Sequence, residues 1–329
     1  MLFNKYQDNY ILNEERFLRV KKVMIGSINT IRIGNKIIPP SASSSDSSKL
    51  TCLNKMYNEY LERSHIGFMM DKEDKLTCID LISSEKHRQK KKNLSYGNNN
   101  VFGYIDSTGT ASRGESSQLV VKKAIAELLE KNELFLFWYF NLGKRMPSQD
   151  DCVKKYIKLY AMESYDNFVF KVRNLSNWFT IIFISFKGEK LISTGICCHE
   201  NIENAIEGAV KEAKILRVLN SFRYMEQYSG DFQKKIFAFI HSFKGIEEKF
   251  KPGIALTNYN LLLNDMVKDL NVAFINSNHN NKGKVISVFS TSLIKCLPIK
   301  KNLTSCKNVP IVNKYGLLNI DDYIDCIVD

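Results

Sequence analysis

The stretch from Gly103 to Tyr139, GYIDSTGTASRGESSQLVVKKAIAELLEKNELFLFWY, restricts the fold of this chain more than any other. Tyr104 and Ile105 end a short strand, and residues 106–117 are small and polar. Beyond them Leu119, Val120, Ala124, Ile125, Leu128 and Leu129 recur at helical spacing, which predicts a long helix. Ser116 or Ser117 can cap it by accepting from its free N–H groups. On that helix Glu127 and Glu130 lie three apart and share one face, and Lys131 sits four after Glu127. Two readings fit such a trio. It is a solvated face of ion pairs, or it offers hard oxygen ligands to a divalent cation with an ammonium beside them for phosphate.

The same arrangement occurs upstream. In residues 41–64, SASSSDSSKLTCLNKMYNEYLERS, a serine-rich loop at 41–48 precedes an amphipathic helix with the apolar face Leu50, Leu53, Tyr57, Tyr60 and Leu61. That helix carries Glu59, Glu62 and Arg63. Two loop-then-helix units, each with two glutamates and a base directly after, favour the cation-and-phosphate reading. Carboxylates gathered so closely would raise their own pKa values unless cations lay among them.

Together the units resemble the YcaO family of ATP-dependent enzymes, which modify peptide backbones. That family shows a small-residue loop before a helix ending Glu-x-x-Glu-Arg, twice, and later a strand-to-helix unit with Ala-Leu-x-Glu-x-x-Gln-x-Arg. Here the first unit matches as Glu59, Glu62 and Arg63. The second matches as Ser107-Thr108-Gly109, then Glu127, Glu130 and Lys131, with lysine in place of arginine. The third is GICCHENIENAIEGAVKEAKILR, which supplies Ala209, Glu212 and Arg217 but has Ile215 where glutamine is usual. The resemblance runs over residues 35–222, with a weaker echo at 285–298.

The resemblance implies an α+β fold, antiparallel sheets packed with helices around a nucleotide cleft. Residues 35–329 would form the ATP-binding catalytic domain and residues 1–34 the segment ahead of it. It implies Glu59, Glu62, Glu127, Glu130 and Glu212 as magnesium ligands, and Arg63, Lys131, Ser107 and Arg217 as contacts to ATP. Lys36 and Gln118 can each reach the nucleotide or are simply solvated.

The implied activity is modification of backbone amides in a ribosomally made precursor peptide. A nucleophile adds to the carbonyl carbon, the oxyanion takes the γ-phosphoryl group of ATP, and phosphate then leaves. A neighbouring Cys, Ser or Thr of the substrate gives an azoline, the cyclodehydratase outcome of bacteriocin biosynthesis. External sulfide gives a thioamide, and an amine gives an amidine. No residue stands out as general base. Too few residues precede the first unit for a leader-binding domain, so a separate leader-binding partner is expected, and a homodimer is open. Residues 320–329 hold no Pro-x-Pro-x-Pro tail. The alternative is a non-catalytic scaffold or regulatory subunit of a peptide-modification complex.

Composition excludes other classes. The 329 residues are 44% hydrophobic and 25% charged, the make-up of a soluble globular protein. No apolar run reaches the ~18 residues of a membrane helix, and the N-terminus lacks signal-peptide order, so a cytoplasmic protein is expected. The net charge of +12 favours anionic partners. The basic residues are scattered, though, apart from KHRQKKK at 86–92, read as an exposed loop, and no basic and aromatic module for nucleic acid is present. An acidic leader or ATP accounts for the sign. The eight cysteines include no Cys-x-x-Cys pair and the five histidines are dispersed, so there is no zinc signature. Cys197 and Cys198 are placed at the start of a loop after a strand at 191–196. They are buried thiols, or a nucleophile if His199 turns the same way.

Elsewhere, residues 31–38 read as a strand turned at Gly34-Asn35, 77–81 as a strand, and 83–100 as disordered. A helix starts at Asp150, and strands at 168–172, 178–186 and 191–196 form an antiparallel meander. Helices follow at 202–219 and 232–243. Residues 258–270 read as helical, 276–284 as a polar loop and 285–289 as a strand.

Overall fold

Two long helices carry the repeated units: α1 is Lys49–Phe68 and α2 is Ser117–Phe140. A computed structural model describes residues 10–13, 22–27, 32–33, 36–37, 41–46, 48–70, 72–97, 104–106, 109–112, 116–222, 228–246, 250–275, 283–316 and 320–327. Ser48 caps α1, its hydroxyl accepting from Thr51 N–H at 3.4 Å, and Ser116 caps α2 by accepting from Leu119 N–H at 3.2 Å. α2 ends where Asn141 takes a left-handed conformation at φ 55°.

From Lys131 to Tyr139 every side chain of α2 is buried, as in a helix enclosed on all sides. Two antiparallel sheets enclose it. One runs in the order Lys86–Lys90, Lys75–Asp80, Asn271–Phe274, Lys284–Phe289, Gly109–Ser112. The other runs Lys190–His199, Phe179–Lys187, Asp166–Val172, Lys144–Arg145. α2 touches Lys284–Phe289 and Gly109–Ser112 of the first and Lys190–His199 and Phe179–Lys187 of the second.

The predicted meander is the body of the second sheet, and both of its faces are covered. Ile181, Phe183 and Val169 meet Val153 and Tyr156 of α3 (Asp151–Leu159) and Ala205, Ala209 and Ala213 of α4 (Ile202–Phe222). Ile182, Ile184 and Phe186 turn to the opposite side, toward Phe137 of α2 and Ile236 and Ile240 of α5 (Gly230–Ser242). Each large apolar side chain so buried contributes roughly 1.5–3 kcal/mol. That sum offsets the charged groups that α2 buries beside them.

The small-residue stretches read as loops are partly strand. Ser41–Asp46 pairs with Lys22–Ser27, which pairs with Tyr10–Asn13, and Ser44 donates to Cys52 O of α1 at 2.9 Å. Gly109–Ser112 pairs with Lys284–Phe289. Low strand propensity is overridden because a neighbouring edge satisfies the main chain whatever the side chains are. Conversely, Ile105 makes only isolated bridges, to Gly97 and Lys295.

The basic run at 86–92 is ordered. Lys86–Lys90 is an edge strand, Lys90 Nζ lies 2.9 Å from Glu73, and Lys91 and Lys92 pair with Asp74 and Glu73. Residues 258–270 form no α-helix: Thr257–Tyr259 is a short 3-10 turn, and Leu261–Asn264 pairs with Pro252–Leu256 in a hairpin. Cys197 and Cys198 lie inside the strand Lys190–His199. Leu50, Leu53 and Leu119 are exposed; α1 buries Leu61 as expected and, besides it, Cys52, Met56 and Ile66. The strand turned at Gly34-Asn35 is a hairpin of Arg32–Ile33 and Lys36–Ile37. Residues 276–282 of the expected polar loop lie outside the described residues. No described helix is long and apolar enough to cross a membrane.

Candidate functional site

The strand Lys190–His199 is the outer strand of its sheet, so alternate N–H groups on its free side need partners other than a strand. Two glutamates supply them. Ile196 N–H donates to Glu212 Oε2 and Cys198 N–H to Glu130 Oε1, each at 2.6 Å. Glu212 reaches the edge because α4 lies almost on the strand. A Cβ added at Gly195 would stand 2.1 Å from Ala209 O and 2.6 Å from Ala213 N, so only glycine permits that approach. Burial pushes the Glu130 carboxyl well above the ordinary range, and the neighbouring Glu212 and Glu127 push it further.

One turn earlier on α2, Glu127 Oε1 lies 3.4 Å from Lys131 Nζ, while on α1 Arg63 Nη2 lies 2.6 Å from Glu59 Oε1. These pairs share one electrostatic environment. Burial raises the Glu127 carboxyl; Lys131 opposes that, Asp106 adds to it, and Arg63 also acts on it. Burial pulls the Lys131 ammonium down, but Glu127 and Asp106, with Glu62 contributing, hold it above its usual value. Glu59, Glu62 and Arg63 of α1, Glu127, Glu130 and Lys131 of α2, and Glu212 of α4 are thus linked pairwise, by ion pairs within a helix and by charge acting between helices.

Sequence reasoning missed Asp106 and Tyr96. Asp106 N–H donates to Lys295 O at 2.9 Å, and the neighbouring Ile294 is held by Asn132 of α2. Its position at the mouth of the Gly/Ser/Thr loop was the available signal. Tyr96 faces Glu62, Arg63, Asp106 and Glu127, yet it lies in the region read as disordered and carries no local signal.

Other expected site residues are placed elsewhere or differently engaged. Gln118 Nε2 donates to Asn258 O at 2.6 Å. Arg217 Nη1 donates to the Tyr165 hydroxyl at 3.0 Å. Lys36 lies on the short hairpin, and Ser107 lies outside the described residues. Ile215, at the position of the family's glutamine, is buried. Burial pushes both the Cys197 and Cys198 thiols up, and Glu130 adds to it. His199 Nδ1 accepts from Asn201 N–H at 2.9 Å, so nothing prepares either thiol as a nucleophile.

Among the described residues no three carboxylate, thiol or imidazole groups stand close enough to hold a metal ion as they are. The donor set still suits hard cations. Burial raises Glu127 and Glu130, Asp106 raises the first further and Glu212 the second, and a cation beside them would relieve both costs.

No model of a known protein family matches the chain, and no curated protein matches it. Solved structures do. YcaO from Methanopyrus kandleri, bound with AMPPCP and Mg2+, matches with a TM-score of 0.63 and 10% identity, over 89% of this chain and 87% of that one. The fold is that of YcaO. A chain of the E. coli microcin synthetase McbBCD complex with pro-MccB17 bound shares this YcaO fold at a TM-score of 0.63 and 11% identity, over 91% of both chains. The heterocyclase TruD matches with a TM-score of 0.51 and 14% identity, over 74% of this chain and 37% of that one. At such identities what is shared is the YcaO backbone, α+β as expected, with helices packed on antiparallel sheets.

Proposed function

We propose that this chain binds ATP with magnesium at the glutamates and bases of α1, α2 and α4, and uses it to modify backbone amides of a ribosomally made precursor peptide. Azoline formation from Cys, Ser or Thr is the reaction we assign. The observation that carries this reading is the electrostatic influence of Arg63 and Glu62 of α1 on Glu127 and Lys131 of α2, on a backbone resembling a YcaO bound with AMPPCP and Mg2+. Bound there, ATP would supply a phosphoryl group to an amide oxygen, and magnesium would offset the phosphate charge.

The side chains have separable tasks. Glu59, Glu62, Glu127, Glu130 and Glu212 would hold the cations, and the strand edge orients Glu130 and Glu212 through Cys198 and Ile196. Arg63 offers a two-pronged guanidinium to phosphate, steadied by Glu59, while Lys131 offers a point charge enclosed in the core. Ser107, Gln118, Lys36 and Arg217 stay candidates for the nucleotide's outer contacts. The microcin synthetase neighbour is a complex with pro-MccB17 bound, which supports a precursor peptide and a separate leader-binding protein here.

One observation favours the scaffold alternative: as they stand, Glu59 and Glu127 are turned to Arg63 and Lys131. Phosphate release decides between the two. It is measured with the protein and Mg–ATP alone, with a Cys/Ser/Thr-rich precursor, and with precursor plus leader-binding partner. The enzyme reading expects release to rise with partner and precursor, and the peptide to lose one water per ring. Partner binding without release in any combination would establish the scaffold.

A further inference from the structure

Tyr96 follows the short turn at 91–94, and its neighbours fix its direction. Ser95 donates to Ile66 O at the end of α1 at 2.6 Å. Gly97, at φ 109°, exchanges both main-chain bonds with Ile105, at 3.0 and 3.1 Å, one residue before Asp106. Tyr96 is thus held between α1 and the strap that carries Asp106. Its ring is partly exposed, but the hydroxyl is closed off from solvent and has no hydrogen-bond partner among the described residues.

A closed-off hydroxyl without a partner is costly, and a ligand oxygen beside it would remove that cost. The groups around it are Glu62 and Arg63 of α1, Asp106 and Glu127. The phenol hydroxyl can donate one hydrogen bond. A phosphate oxygen brought in beside Arg63 would suit both that cation and the phenol donor.

Building on the ATP reading of this site, we propose that Tyr96 is a nucleotide-binding residue, its hydroxyl donating to a phosphate oxygen alongside Arg63. The hydroxyl then helps bind the ligand and contributes nothing to holding the empty protein together. Removing it alone tests this.

Wild type and Tyr96→Phe are titrated with AMPPCP and Mg2+ by calorimetry, and the thermal midpoint of each is recorded without ligand. The expected result is binding about tenfold weaker in Tyr96→Phe, the worth of one hydrogen bond to a charged group, with a ligand-free midpoint equal to or above wild type. Equal affinity in the two proteins overturns the assignment. A lower ligand-free midpoint also overturns it, because the hydroxyl would then have a partner within the fold. A wild type that binds no Mg–AMPPCP sinks the ATP reading itself, and Tyr96 falls with it.

Discussion

Glu130 and Glu212 accept N–H groups two residues apart on one strand edge, those of Cys198 and Ile196, each at 2.6 Å. Residues two apart on a strand face the same way, so the edge itself brings two carboxylates side by side. Their mutual repulsion is overcome by the main-chain donors they satisfy. The result is a half-buried acidic pair that a cation would stabilise.

Glu130→Gln keeps an acceptor for Cys198 N–H and removes the repulsion from Glu212 and Glu127. The ligand-free variant should melt at or above the wild-type midpoint. Its affinity for Mg–AMPPCP should fall by at least about tenfold, since a carboxylate ligand is lost. Calorimetry and thermal melts read both quantities. Unchanged affinity with a lowered midpoint would make Glu130 purely structural.

Glu133 introduces a pH dependence. Its carboxylate accepts from Asn174 N–H at 2.8 Å, Leu175 N–H at 2.6 Å and the Asn174 amide at 2.9 Å. Burial pushes it from 4.5 up to about 7, with those bonds opposing. The folded value exceeds the unfolded one, so its contribution to stability is fully present below about pH 4.5 and is lost as pH rises through about 7. A rise from 4.5 to about 7 is worth on the order of 3 kcal/mol. Glu133→Gln stays neutral, and should gain on wild type between about pH 5 and about pH 8. Thermal midpoints of both proteins at the two pH values check this; a gap that does not widen counts against it.

Gly195→Ala should destabilise by about 1–3 kcal/mol, because the added methyl meets the backbone of α4 at Ala209 and Ala213. The helix must move off the strand, and Glu212 moves with it. Denaturant midpoints and Mg–AMPPCP affinity should therefore fall together. Lost stability with intact affinity would show that Glu212 is not needed at the site.

Asn132 joins α2 to the strap behind Asp106. Its amide donates to Ile294 O at 2.9 Å and accepts from Ile294 N–H at 3.0 Å. Asn132→Leu keeps the branched shape but strands both groups in the core, at a cost of about 2–4 kcal/mol. Chemical denaturation measures it, and a loss below about 1 kcal/mol would mean the strap has rearranged.

The sequence by itself determined α1 to α5 and the faces of their charges, though not the hairpin strand Leu261–Asn264 that it read as helix. Ser116 and Asp150 cap where the pattern places them, and Glu127, Glu130 and Lys131 share a face of α2, because caps and three- and four-residue spacings are local geometry. The meander at 166–199 was legible for a similar reason, as adjacent strands joined by short turns. Only the tertiary structure decided that Ser41–Asp46 and Gly109–Ser112 are strands, since their hydrogen bonds come from Lys22–Ser27 and Lys284–Phe289. It also brought Asp106 and Tyr96 to the acidic cluster, through main-chain bonds from Gly97 to Ile105 and from Asp106 to Lys295. Pairings of that kind depend on which edges meet after α2 is enclosed, and local spacing carries no record of them.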